Sequence, residues 1–210
     1  FGTTPAVGAE KTVKCTAQLK FGGSSSAAVT SADHTGTVVA DGVTVSGKVR
    51  SYNPGKSLYV TLYKAGTTDV VIVNNAGTLP SGSGQVTQTF SLQRVPKGTY
   101  DLVVTKDAHL KYTVKNVVVE TTDIDLTAMT EKPFSTITLP AGDVNGDGTI
   151  NSKDLNEIWS PANYLKSTTA AGVDPLADLN GDGTVNSKDL NIVWLAENYL
   201  KSASQCEVIY

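Results

Sequence analysis

The stretch Asp143-Val144-Asn145-Gly146-Asp147-Gly148-Thr149-Ile150-Asn151-Ser152-Lys153-Asp154 returns 35 positions later as Asp178-Leu179-Asn180-Gly181-Asp182-Gly183-Thr184-Val185-Asn186-Ser187-Lys188-Asp189. The likeness extends beyond these loops: residues 143–167 and 178–202 agree at 18 of 25 positions, which marks an internal duplication. A calcium ion takes about six to eight oxygen ligands, and a twelve-residue loop offers them from positions 1, 3, 5, 7, 9 and 12, with glycine at 6 for the sharp turn. In the first copy Asp143, Asn145 and Asp147 offer side-chain oxygens, Thr149 its carbonyl, Asn151 a contact through water, and Asp154 the closing carboxylate. Asp178, Asn180, Asp182, Thr184, Asn186 and Asp189 repeat these roles, with Gly148 and Gly183 at the turn. The spacing therefore predicts two bound Ca2+ ions, one per loop. Magnesium, which prefers a tighter octahedron and retained waters, suits such a cage less well. Position 8 of each loop, Ile150 and Val185, is expected to face its counterpart in a short backbone pairing.

Neither loop is preceded by a helix-forming segment. Thr138-Leu139-Pro140-Ala141-Gly142 leads into the first and Gly172-Val173-Asp174-Pro175 into the second, and proline lacks the backbone donor a helix needs. Position 12 is aspartate in both, so an EF-hand, with its entering helix and terminal glutamate, does not fit. After each loop, Leu155, Ile158, Trp159 and Ala162, and then Leu190, Val193, Trp194 and Glu197, fall at helical offsets and predict an exiting helix. Trp159 and Trp194 read as packing between antiparallel helices in preference to exposed anchors; Tyr164 and Tyr199 fit either role.

Loops without entry helices, closed by aspartate and duplicated, resemble the calcium motif of dockerins over about residues 141–202. That resemblance implies a C-terminal all-α dockerin of two calcium loop–helix (F-hand) repeats, folding only with calcium. Its implied partner is the cohesin domain of a scaffoldin or cell-surface anchoring protein, and its setting is extracellular and bacterial, in a cellulosome. In dockerins, loop positions 10 and 11 and the following helix face meet the cohesin. Carried over residue by residue, this points to Ser152, Lys153, Trp159 and Ser160, and to Ser187, Lys188, Trp194 and Leu195. The repeated Ser-Lys pair implies binding in two orientations related by a half-turn. Ser160-Pro161, however, reads as a break where the first helix stops and restarts, which leaves the helix after Asp189 continuous and dominant in recognition.

Upstream, short runs rich in Val, Tyr, Thr and Leu alternate with Gly, Pro and Asn turns. Strands are predicted at Val43–Val49, Leu58–Tyr63, Val70–Val73, Phe90–Leu92, Tyr100–Val104 and Tyr112–Val114, and two sheets packed face to face would bury their inner side chains. The expectation is an all-β Ig-like sandwich. Within it, Phe90 to Val104, with its Val95-Pro96-Lys97-Gly98-Thr99-Tyr100 element, followed by His109 and Val117-Val118-Val119, resembles the X-modules that precede dockerins in bacterial scaffoldins. The implied role of such a module is to pack against the dockerin and support it. The expected organisation is a strand and flexible spacer over 1–36, with Gly22-Gly23-Ser24-Ser25-Ser26 as the spacer; the X-module-like sandwich over 37–126; a linker over 127–140; and the dockerin over 141–210.

Composition narrows the alternatives. At 210 residues, 40% hydrophobic and 18% charged, the chain suits two folded domains, and no run approaches the roughly 20 apolar residues of a membrane span. Starting at Phe1, it reads as a fragment or a mature piece. The formal charge of −3 shows no basic stripe and argues against nucleic acid; six of the carboxylates lie in the two loops. Cys15 and Cys206 read either as a long-range disulfide or as separate thiols. His34 and His109 lie in unrelated contexts without a nucleophile or oxyanion motif, so no catalytic residue is expected. A calcium sensor would want entering helices and a methionine-rich groove, whereas the chain has a single methionine. The remaining alternative is a calcium-binding structural or carbohydrate-binding module of a glycan-degrading protein, using Tyr52, Tyr59 or Tyr63.

Overall fold

The computed structural model describes residues 42–79 and 82–210 and, as backbone, six short strands among residues 10–37. It divides into two compact units, Phe1–Gly42 and Val43–Tyr210. In the first, β1 (Glu10–Val13), β2 (Thr16–Ala17) and β3 (Lys20–Phe21) pair antiparallel with β6 (His34–Thr37), β5 (Val29–Thr30) and β4 (Ser24–Ser25), respectively. Cys15 and most of the Gly22-to-Ser26 spacer, apart from the β4 backbone, lie outside the described residues, as does the side chain of His34.

The second unit is built on two sheets. β7 (Val43–Tyr52) pairs antiparallel with β10 (Gln85–Val95) and carries two short parallel strands on its other edge, β13 (Ile124–Asp125) and β14 (Ile137–Thr138). The other sheet runs β17-β12-β11-β8-β9, with β8 (Leu58–Lys64), β9 (Val70–Gly77), β11 (Gly98–Lys106), β12 (Tyr112–Val119) and β17 (Glu207–Ile209). Each of the six strands expected from alternation falls inside one of β7 to β12. Val45 and Val49 on β7, Phe90 and Leu92 on β10, Leu58, Val60 and Leu62 on β8, and Leu102 and Val104 on β11 are all buried, so the two-residue period supplies the inner faces. Gly47 continues the buried row of β7 without a side chain, and a Cβ there would lie 2.7 Å from the Phe90 ring.

Residues 127–140 are part of this sandwich, not a spacer beside it. Phe134 is fully buried within a 3-10 turn (Pro133–Thr136), Ile137 and Thr138 form β14 on β7, and Leu139 N–H donates to the Arg50 carbonyl at 3.0 Å. The chain's end returns to the same core. β17 pairs parallel with β12, and Tyr210 stacks on Phe134 with ring centroids 5.7 Å apart.

The expected fold class requires correction. An all-α dockerin of two F-hand repeats is not what residues 141–210 form: α1 (Ser152–Trp159) has 8 residues and α2 (Ser187–Val193) has 7, and the rest is turns, the two-residue strands β15 (Lys166–Ser167) and β16 (Thr184–Val185), a 3-10 turn (Ala203–Cys206) and β17. The physical reason is the same in both copies. The buried amide of Asn163 donates Nδ2–H to the Glu157 carbonyl at 2.8 Å, and that of Asn198 to the Ile192 carbonyl at 2.6 Å, taking acceptors that a continuing helix would fill. The second helix therefore stops as early as the first without any proline, and the continuous helix expected after Asp189 is not there.

Candidate metal loops and docking face

Each loop is shaped by its own carboxylates. Asp154 is fully buried: its Oδ1 accepts the Val144 and Asn145 amides at 2.9 and 3.2 Å, and its Oδ2 accepts Asn151 N–H at 2.8 Å. Asn151 Oδ1 in turn accepts Lys153 N–H at 2.9 Å, which makes positions 9 and 12 a capping box for α1. Asn186 and Asp189 do the same for α2, with Asp189 Oδ1 on Asn180 N–H and Oδ2 on Asn186 N–H. The shorter aspartate at position 12 suits this role, since its oxygens remain among the loop's own amides.

Positions 3 and 5 stay at the rim, except that Asn180 is buried. Asn145 Oδ1 accepts Asp147 N–H and Asp147 Oδ1 accepts Thr149 N–H, with Asn180 and Asp182 matching them. Lys153 Nζ lies 3.0 Å from Asp147 Oδ2 and Lys188 Nζ 2.8 Å from Asp182 Oδ2. These lysines hold the Asp147 and Asp182 carboxyls below the usual range, whereas burial pushes those of Asp143, Asp178 and Asp189 up. Burial and like charge both favour a bound cation there.

The donor set is oxygen throughout, as a hard cation requires. Asp143 Oδ1 is buried without a hydrogen-bond partner, although Oδ2 accepts Gly148 N–H at 3.1 Å, and an orphaned carboxylate oxygen in a loop of carboxylates is the local observation that calls for a cation. Among the described residues no three acidic, histidine or cysteine side chains already converge on one point, so the fit rests on donor chemistry and this orphan. Asp143, Asn145, Asp147, the Thr149 carbonyl, Asn151 and Asp154 would hold the ion in one loop, and Asp178 to Asp189 in the other.

Ile150 and Val185 do not pair with each other. Ile150 exchanges backbone hydrogen bonds with Leu200 and Lys201, and Val185 accepts Leu165 N–H at 2.8 Å in the β15–β16 pair. Each loop is thus completed by the tail that follows the other copy's helix. Asn163 and Asn198, which the helical offsets did not single out, join this exchange: Asn163 Oδ1 accepts Asp174 N–H and Asn198 Oδ1 accepts Ala141 N–H, so each ties the end of its helix to the segment entering the other loop. The available signal was an identical polar residue in both copies just beyond the apolar stripe.

The tails also turn outward. Leu165 and Leu200 adopt φ of 58° and 60°, uncommon for leucine, and are 72% and 67% exposed. Trp159 and Trp194, expected between helices, are 61% and 56% exposed instead; Trp159 stacks on Tyr164 with ring centroids 4.6 Å apart, and Trp194 lies tilted against Tyr199 at 4.4 Å. Ser152, Lys153, Ser187 and Lys188 are exposed, and Ser160 and Leu195 half-buried. The duplicated segments therefore present two equivalent ledges, each an aromatic pair beside a leucine. Tyr59 is exposed on the outer face of the five-stranded sheet, whereas Tyr52 and Tyr63 are half-buried.

A cleft of about 530 Å3 separates the first loop from the β11–β12 turn, lined by Lys106, His109, Lys111, Asp143, Asn145 and Asp147 among others. Lys106 is buried with Nζ 3.1 Å from Ser51 Oγ, and burial lowers its pKa to about 8. His109 Nε2 accepts Tyr52 N–H at 3.0 Å, which leaves Nδ1 to carry the proton and donate to the Asp107 carbonyl at 2.7 Å.

Residues 141–196, which hold both loops, match the family described as the dockerin type I domain. The chain is similar, more particularly, to two solved structures of the type II cohesin–X-dockerin complex of Acetivibrio cellulolyticus. An N-terminal interface mutant matches with TM-score 0.54 and 28% identity over 78% of this chain and 99% of that one. A C-terminal interface mutant matches with TM-score 0.53 and 27% identity over the same shares. No curated protein matches. The likeness is thus to the X-module and dockerin of a cohesin complex, in agreement with the resemblance drawn from the Val95-to-Tyr100 element and the loops.

Proposed function

We propose that this chain is a calcium-dependent docking module that binds a cohesin and so attaches its parent protein to an extracellular cellulosome or cell-surface complex. The observation that carries the reading is the pair of equivalent exposed ledges, Trp159-Tyr164-Leu165 and Trp194-Tyr199-Leu200, each held by an oxygen-rich loop. Large apolar side chains kept in solvent at strained backbone positions cost stability and are retained where a partner covers them. The similar Acetivibrio cellulolyticus structures are complexes with a cohesin, which supports the partner class.

In this reading Ser152, Lys153, Trp159 and Ser160 make one contact set and Ser187, Lys188, Trp194 and Leu195 the other, and two calcium ions order the segments that present them. The module contributes docking rather than catalysis. Titration calorimetry against type I and type II cohesins, in calcium and in excess chelator, tests the proposal. Tight binding to at least one cohesin in calcium, lost in chelator, is expected. Binding to none, or binding untouched by chelation, would overturn it.

A further inference from the structure

The two loops have almost the same sequence and share most of their internal hydrogen bonds, yet the sandwich touches them unequally. On the second loop, Asn53 Nδ2 donates to the Asp178 carbonyl at 2.8 Å, and Gly84 N–H donates to the Asn180 carbonyl at 2.6 Å. Asn53 itself is locked: its N–H donates to the Gly84 carbonyl at 3.0 Å, its Oδ1 accepts Gly55 N–H at 3.1 Å, and its φ is 58°. The turn lies so close that a Cβ on Gly181 would stand 2.6 Å from Asn53 Oδ1, whereas a Cβ on Gly146, the matching residue of the first loop, would meet nothing within 4 Å.

Burial follows the same division. Asn180 is 7% exposed while its counterpart Asn145 is exposed. In the second loop both oxygens of Asp178 are hydrogen-bonded, to Gly181 and Gly183 N–H at 2.8 and 2.9 Å, whereas Asp143 keeps an orphaned oxygen. The duplication supplies an internal control, because the contacts that each loop receives from the other copy's tail are equivalent. Thr168 N–H donates to the Gly183 carbonyl, and Ala203 N–H to the Gly148 carbonyl. What differs is the Asn53 clamp.

We infer that Asn53 is a positioning residue for the second loop, fixing the carbonyls of positions 1 and 3 before a cation arrives, so that the two near-identical loops bind calcium unequally and the second binds it more tightly. The inference rests on the reading of both loops as calcium sites. A loop already held in its bound shape loses less conformational freedom on taking up the ion, and partners lying just outside a ligand set shift metal affinity by roughly 10- to 100-fold. The sandwich would then act on the docking segment through one calcium site and not the other, keeping the α2 end formed at calcium levels where the α1 end is empty.

The test follows the Gly148 and Gly183 amides, one in each loop, by nuclear magnetic resonance during a calcium titration of the whole chain. The Gly183 signal should saturate first. Asn53→Gly, which preserves the positive φ and removes only the side chain, should weaken the second site about 10-fold and leave the first unchanged. Gly146→Ala and Gly181→Ala carry the same backbone penalty, at φ of 70° and 75°, but only Gly181→Ala should abolish the difference between sites. This matched pair decides the matter even if Asn53→Gly fails to fold. Equal saturation in the native chain, or equal losses at both sites in the variants, would overturn the inference while leaving the calcium reading intact. A native chain in which neither amide responds to calcium would overturn the calcium reading itself, and the inference with it.

Discussion

His109 is buried at the β11–β12 turn, with Nε2 committed to accepting the Tyr52 amide and Nδ1 to donating to Asp107. Protonating Nε2 would place a donor against a donor at a residue that is only 7% exposed. Burial lowers the His109 pKa from 6.5 to about 4, opposed by the hydrogen bond to Asp107 and assisted by the charge of Lys106. Because the folded pKa lies below the unfolded one, the unfolded chain binds the extra proton between pH 6.5 and 4. The stability His109 contributes is complete above pH 6.5 and is lost as pH falls through that window. At about 1.36 kcal/mol per pKa unit the full loss is about 3 kcal/mol, of which about 2 kcal/mol should be gone by pH 4.5. Urea unfolding at pH 7 and pH 4.5, at fixed calcium, measures it against His109→Gln, which cannot titrate. The raised carboxyls of Asp143, Asp178 and Asp189 act with the opposite sign but are common to both proteins and drop out of the difference. The native chain should lose about 2 kcal/mol more than the variant. Parallel pH dependences, agreeing within about 0.5 kcal/mol, would refute the assignment of His109 as a buried neutral acceptor.

Asn198→Ala removes a buried amide that serves both Ile192 and Ala141, so it should cost about 2–4 kcal/mol in chemical denaturation, and Asn163→Ala a similar amount. Gly47→Ala forces a methyl onto the Phe90 ring and should cost about 1–3 kcal/mol by the same measurement, with no effect on calcium uptake. Trp159→Ala and Trp194→Ala leave exposed sites and should each change stability by less than about 1 kcal/mol. Each single change should weaken cohesin binding only in part, because the other ledge remains, and the double change should abolish it in calorimetry.

The parts legible in the sequence are those fixed by local rules. Alternation placed β7, β8 and β10 to β12 because each has one face in the core, and β9 followed from its valine-rich run although none of its residues is fully buried; the duplicated loops were readable because their repeated sequence forms two matching capping boxes. The helix lengths were not, because Asn163 and Asn198 take the carbonyls of Glu157 and Ile192 from beyond the apolar stripe. Trp159 and Trp194 were read inward because helical offsets record that a residue is apolar, not whether a neighbouring element covers it. The pairing of Ile150 with Leu200 and Lys201, and of β17 with β12, joins segments far apart in the chain, and no window of sequence carries such a contact.

These distant contacts explain why residues 43–210 form one compact unit although the sequence divides into a β part and a duplicated part. Neither copy is complete alone: the first loop takes its backbone partners from Leu200, Lys201 and Ala203, and the second from Leu165 and Thr168. Nor do the copies stand apart from the sandwich. Gly142 N–H donates to the Ala108 carbonyl, Leu110 N–H to that of Pro140, and Asn53 holds the second loop. Past the second copy, Ala203 N–H closes the first loop, and a few residues later β17 joins the five-stranded sheet and Tyr210 stacks on Phe134. A short terminal segment thus secures the first loop and the sheet together. Ordering either loop consequently acts on contacts shared by both copies and the sandwich, so that a change confined to one loop reaches the aromatic ledge on the opposite copy.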